Sequence, residues 1–270
     1  RNYAEYVKEA VKAGADIIIS GAGLPVNLPE YVKGSKTRIA PIVSSVKSAM
    51  VICKMWDRKY HVAPDAVVVE GQLAGGHLGF SVEQLSELGA DTDDVPKTYR
   101  RDEYDKEVKG IIALVKEYAA KYGRHIPVIT AGGIYDHQDV MHQMELGVDG
   151  VQVATRFVTT EECDAPMAYK QAYIDAKKED IVITKSPVGM PGRAIKNAFI
   201  QRMLTAPDKI SHCFNCLKAC NSATAPYCIT QALINAVVGD LDNGLIFCGS
   251  RVGEIREITT VPKLMQELTV

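Results

Sequence analysis

A chain of 270 residues with 47% hydrophobic composition can bury a full core, and α/β barrels reach this size as one domain. A formal charge of −2, from 31 basic and 33 acidic residues, attracts no polyanion, and no basic run is interleaved with aromatics, so nucleic acid is not an expected partner. The apolar runs are strand-sized and too short for a membrane helix, and seven scattered cysteines fit reduced thiols in the cytoplasm better than a disulfide framework.

Tyr3, Val7, Ala10 and Val11 recur at helical spacing, after which Gly14 and Ala15 turn the chain into the β-rich run 16–20. Short apolar runs follow at 38–43, 66–70, 126–131 and 150–154, with intervals long enough for crossover helices. This alternation predicts a parallel sheet covered by helices. Between Gly79 and Asp102 the chain is polar and acidic, notably at 91–96, and reads as a lid or surface excursion. The clearest helix covers 104–122, with Val108, Ile111, Ile112 and Val115 on one face and Gly123 as its stop. Asp136 is placed to cap another.

Five strands are legible, three short of a closed eight-stranded barrel. The segment after Ile181 offers no alternation of strand and helix. Two readings follow: a smaller open sheet, or a barrel whose N-terminal strands precede this chain, which begins at Arg1.

Three of the strands run directly into glycine-rich turns, at 20–23, 130–133 and 70–79. Ala131-Gly132-Gly133 lies between a strand and a helix, where backbone N–H groups can approach an anion. The run 150–156 ends a second strand in Ala154 and Thr155, and two such strand ends make a phosphate site for a nucleotide-like cofactor. No Gly-x-Gly-x-x-Gly is present, so a Rossmann domain has no support. In the third turn, residues 70–79, four glycines surround His77, whose imidazole titrates near neutrality and can take or return a proton. The bland alternatives are glycines that serve only tight turns and a histidine that serves only structure.

The ordered set of Ala74-Gly75-Gly76-His77, then 128–134, then 147–157 resembles the nitronate monooxygenase family, formerly 2-nitropropane dioxygenases, over about residues 1–200. The flavin-dependent enoyl-acyl-carrier-protein reductases share that superfamily. The resemblance implies a (β/α)8 TIM barrel that binds FMN, with N-terminal strands absent from this chain and a helical segment at 201–270 on the barrel domain of 1–200. It implies cofactor binding by Gly75, Gly76, Ala131, Gly132, Gly133, Gln152, Ala154 and Thr155, with His77 catalytic. The implied reaction is oxidation of alkyl nitronates by O2 to a carbonyl compound and nitrite. Reduction of an enoyl thioester by NAD(P)H is the alternative of the same fold, and an inactive fragment or binding module is a third reading. The expected partner is a small-molecule substrate, and oligomeric state is not legible. The segment 186–197 also resembles a family segment that closes over the site, which leaves Arg193 and Asn197 as ligand contacts or as docking groups.

The C-terminal part adds Cys213, Cys216, Cys220 and Cys228, with Cys248 further on and His212 adjoining. Cys-x2-Cys-x3-Cys with a fourth thiol suits a 4Fe–4S cluster, a zinc ion or plain structural thiols, and the three alternatives stay open at this point. A comparable grouping occurs in some other FMN barrel reductases that carry such a cluster.

Overall fold

The computed structural model describes residues 2–92, 95–206, 208–217 and 220–270. Five strands form a wholly parallel sheet: β1 (Ile17–Ser20), β2 (Arg38–Val43), β3 (Val67–Glu70), β5 (Val128–Ala131) and β6 (Gly150–Gln152), side by side in that order. Every expected strand is present, β2 at the expected bounds and the other four slightly shorter. Each strand lies beside the one that precedes it in this sheet, and the connections between them carry helices, as parallel pairing requires. Among the described residues β1 and β6 remain the two edges, so the observed architecture is an open parallel α/β sheet.

Side-chain alternation gives the sheet two different faces. Val67 and Val69 of β3 join Ile39 and Val43 of β2 in a core against helices Val46–Tyr60 and Arg101–Tyr122, which contribute Ile52, Trp56, Val108 and Ile111. Trp56 is fully buried and its indole N–H donates to the Pro25 carbonyl at 3.1 Å, so its one polar atom is satisfied. Val68 and Glu70, out of phase with these, face a cleft on the opposite side together with Ile42.

The helix ends follow the sequence closely. Asp136 caps helix His137–Leu146 through a reciprocal capping box with Asp139, and Gly123 ends the long helix in the left-handed region at φ 63°. The stretch after Gly79 differs from the expected excursion. It forms helices Val82–Glu87 and Val95–Thr98, and Leu85, Ala90 and Val95 are buried beneath with Leu73, Leu78 and Phe80. The acidic run 91–96 includes Asp93 and Asp94, which lie outside the described residues.

A second sheet was not legible in the sequence. It is antiparallel, with β8 (Pro191–Ile195) between β7 (Ile181–Lys185) and the two-residue β4 (Gly76–His77). Pro191 and Gly192 weaken β8 as a strand pattern, and its buried stretch includes Arg193, a residue type that reads as surface. The pairing of β4 with β8 is what ties the glycine-rich His77 loop to the later part of the chain.

Candidate active site

The carboxyl ends of β3, β5 and β6 open into one cleft of about 390 Å³. Parallel sheets place their ligand sites at this end, where loops diverge. Of the residues expected at the cofactor, Gly75, Gly76, Ala131, Gly132, Gly133, Gln152, Ala154 and Thr155 all line it. The structure therefore brings three separate sequence motifs to one surface.

The glycines are needed first to let these loops meet. Gly132 has φ 97°, and a Cβ there would stand 2.8 Å from the Ala74 backbone nitrogen. Gly75 is hemmed by backbone, since its Cβ would fall 2.6 Å from the Cys248 carbonyl carbon. Side chains at either position force backbone to move. Gly132→Ala is expected to push the Ala74 loop out of place and to weaken binding of added FMN at least about tenfold, equivalent to ~1.4 kcal/mol; fluorescence titration with unchanged affinity would refute this.

His77 sits one residue beyond the lining, on β4. Its Nε2 and the Ser186 hydroxyl are 2.7 Å apart, and its ring meets Phe247, a cleft residue, edge-on at 4.9 Å between centroids. Burial holds the imidazole below its ordinary 6.5, since the charged form loses hydration and gains no counter-charge. His77 is thus neutral at pH 7 and protonates only as pH falls through a value below 6.5. An NMR titration of the ring should place its midpoint there; a midpoint above 6.5 would contradict the described surroundings.

Glu70 ends β3 on the cleft wall. Burial raises its carboxyl above the usual range, opposed by the Gly79 N–H, which donates to it at 2.8 Å. In the sequence Glu70 stands at the end of a strand and the start of the glycine-rich turn, with nothing local to mark it as a cleft residue. The other wall was also missed: Tyr169 and Tyr173, four apart on helix Met167–Asp175, and Phe247, Cys248 and Gly249. Burial pushes the Cys248 thiol up to about 12, so it stays protonated. The Thr155 hydroxyl accepts from the Gly249 N–H at 3.0 Å, which fastens this wall to the end of β6. The Tyr169 and Tyr173 spacing was the available signal, an i, i+4 aromatic pair on one helix face.

Arg193 and Asn197 are docking groups. Arg193 is 1% exposed and donates to the carbonyls of Gln72 (2.9 Å), Ala90 (2.6 Å) and Ala74, so its guanidinium is consumed by the His77 loop and its neighbour. Desolvation lowers it to about 10, leaving it charged. Asn197 caps helix Ala198–Thr205 by accepting from Ile200 N–H and donates to the Leu241 and Gly244 carbonyls.

The cysteines of the C-terminal part stand apart from the cleft, Cys248 excepted. Among the described residues none is in a disulfide, and no three His, Cys, Asp or Glu side chains are gathered around a point suited to a single metal ion. Cys213, Cys216, Cys220 and Cys228 do line one small cavity together. Among the described residues no helix is long and apolar enough to cross a membrane.

A parallel α/β sheet whose glycine-rich strand ends build a cofactor-sized cleft beside a neutral histidine defines the class. The chain belongs to the nitronate monooxygenase family, whose model matches residues 1–270. A probable nitronate monooxygenase of Staphylococcus aureus (strain JH9) is 34% identical over 199 residues, covering 73% of this chain and 48% of that protein. One from Staphylococcus saprophyticus is 34% identical over 146 residues, covering 54% and 36%. The chain thus spans about half the length of these relatives or less. Among solved structures, FabK from Thermotoga maritima superposes with a TM-score of 0.69 at 25% identity, over 99% of this chain and 71% of that one. A nitroalkane oxidase from Streptomyces ansochromogenes gives 0.66 at 20% identity, over 98% and 66%, a likeness of fold.

Proposed function

We propose that the cleft binds FMN and that the chain forms the catalytic part of an oxidoreductase that oxidises alkyl nitronates to a carbonyl compound and nitrite with O2. The observation that carries this reading is the convergence of Gly75 and Gly76, Gly132 and Gly133, and residues 152–155 on one cleft beside His77. A cleft of about 390 Å³ is in the range of cofactor sites, which run to roughly 300–1,000 Å³. Its walls fit a flat ring with a phosphate tail: Ile42, Val68 and Leu73 are apolar, and the Gly132–Gly133 turn and Thr155 are polar. The five-stranded sheet, with its sequential strand order, is then a section of a (β/α)8 barrel.

FMN bound here supplies two-electron exchange with the nitronate and with O2. The protein's part is placement and proton control. Neutral His77, held by Ser186 and Phe247, presents a ring that can donate a hydrogen bond toward a nitro group or accept a proton without first losing one. Glu70 and the aromatic pair Tyr169 and Tyr173 form part of the cleft wall.

The second reading, an enoyl-thioester reductase of the same fold, is favoured by the likeness to FabK. One experiment separates the readings. The purified chain is loaded with FMN and mixed without oxygen with either a nitronate or NADH. Bleaching of the flavin absorbance by the nitronate alone, with nitrite released on admitting air, is the expected result. Bleaching by NADH alone would replace it with the reductase reading, and failure to bind FMN would leave a binding module.

A further inference from the structure

We propose that Cys213, Cys216, Cys220 and Cys228 hold an iron–sulfur cluster of the 4Fe–4S type, at a site separate from the cleft and independent of the flavin reading. The four cysteines line a single cavity, together with apolar Phe214, Leu217 and Ile229 and polar Asn215 and Ser222. Three of the four fall within one eight-residue stretch, 213–220, and the fourth arrives from the start of a helix. Structural zinc sites are usually assembled from two separated Cys-x2–4-Cys or His pairs that meet at one ion. Three thiols on one short loop instead embrace one side of a compact cluster, with the fourth thiol closing the other.

Local geometry supports that wrapping. Asn215, between Cys213 and Cys216, lies in the left-handed region at φ 53°, a conformation asparagine tolerates. Cys228 is the N-cap residue of helix Ile229–Val237, whose positive end favours the negative charge of a thiolate-ligated cluster.

The described residues from Asp208 to Cys228 form no helix or strand. A connection of this length without regular structure is uncommon in a compact fold, and a cluster bound by four side chains supplies the cross-link that orders it.

The test uses the full chain, produced and purified without oxygen and analysed for iron, acid-labile sulfide and zinc. The expected result is about four iron and about four sulfide per chain, with broad brown absorbance that survives removal of flavin. Cys216→Ser and Cys228→Ser should each lose most of the iron, whereas Cys163→Ser, outside this loop, should keep it. One zinc per chain without sulfide would overturn the proposal, as would no iron uptake on reconstitution with ferrous iron and sulfide. Iron content unchanged in Cys228→Ser would do the same. The content of the unsubstituted chain decides the matter even where a serine variant fails to fold.

Discussion

His77→Ala is expected to lower nitronate turnover by about 10²–10⁴-fold, the range typical of a positioned proton-handling group. FMN affinity should change little, because the ring lies one residue beyond the cleft lining and touches it through Phe247. The fold should persist as well. The ring contact with Phe247 is worth about 0.5–1.5 kcal/mol, and the lost hydrogen bond leaves a Ser186 hydroxyl that still accepts from the Val188 N–H at 3.4 Å. Steady-state nitrite release by the flavin-loaded variant checks the prediction. Full turnover with bound flavin would remove His77 from the chemistry, and a loss confined to flavin binding would make it a structural residue.

Arg193→Ala should produce the largest loss of stability at any site residue. The guanidinium satisfies three backbone carbonyls at once, those of Gln72, Ala74 and Ala90, inside a region with almost no solvent. Each buried acceptor left without a donor costs about 1–3 kcal/mol, against a total stability of roughly 5–15 kcal/mol for a typical domain. A loss of at least ~3 kcal/mol in urea unfolding is the expected outcome, together with release of the His77 loop. Arg193→Lys should recover only part of it, since one ammonium cannot reproduce a planar fork aimed at three oxygens. An unfolding midpoint equal to that of the unsubstituted chain would show that the loop is held by something else.

The parallel sheet was legible because its strands are short β-branched runs, such as Val67 to Val69, separated by helices with ordinary caps. The same holds for the cleft floor. Glycine pairs at strand ends signal close backbone approach, and all eight expected cofactor residues lie there. What stayed hidden depends on partners far away in the chain. The strand Pro191–Ile195 carries a proline, a glycine and an arginine, and becomes a strand only because Gly76 and His77 pair with one of its edges and Ile181–Lys185 with the other. Arg193 could not be assigned from local sequence for the same reason, since its three acceptors lie more than 100 residues earlier. Tyr169, Tyr173 and Phe247 to Gly249 reach the cleft by tertiary packing, with no strand-end motif to announce them.

The fastening of Gly249 to Thr155, and of the Cys248 backbone against Gly75, bears on how the protein is made. The parallel sheet is complete at Gln152, yet the cleft still lacks a wall for nearly another hundred residues of synthesis. A nascent chain can therefore order its sheet on the ribosome well before it can retain a ligand. Any ligand of the cleft would then be retained only late in the life of the polypeptide, and a chain stalled after β6 would display bare glycine turns and the apolar cleft floor to chaperones.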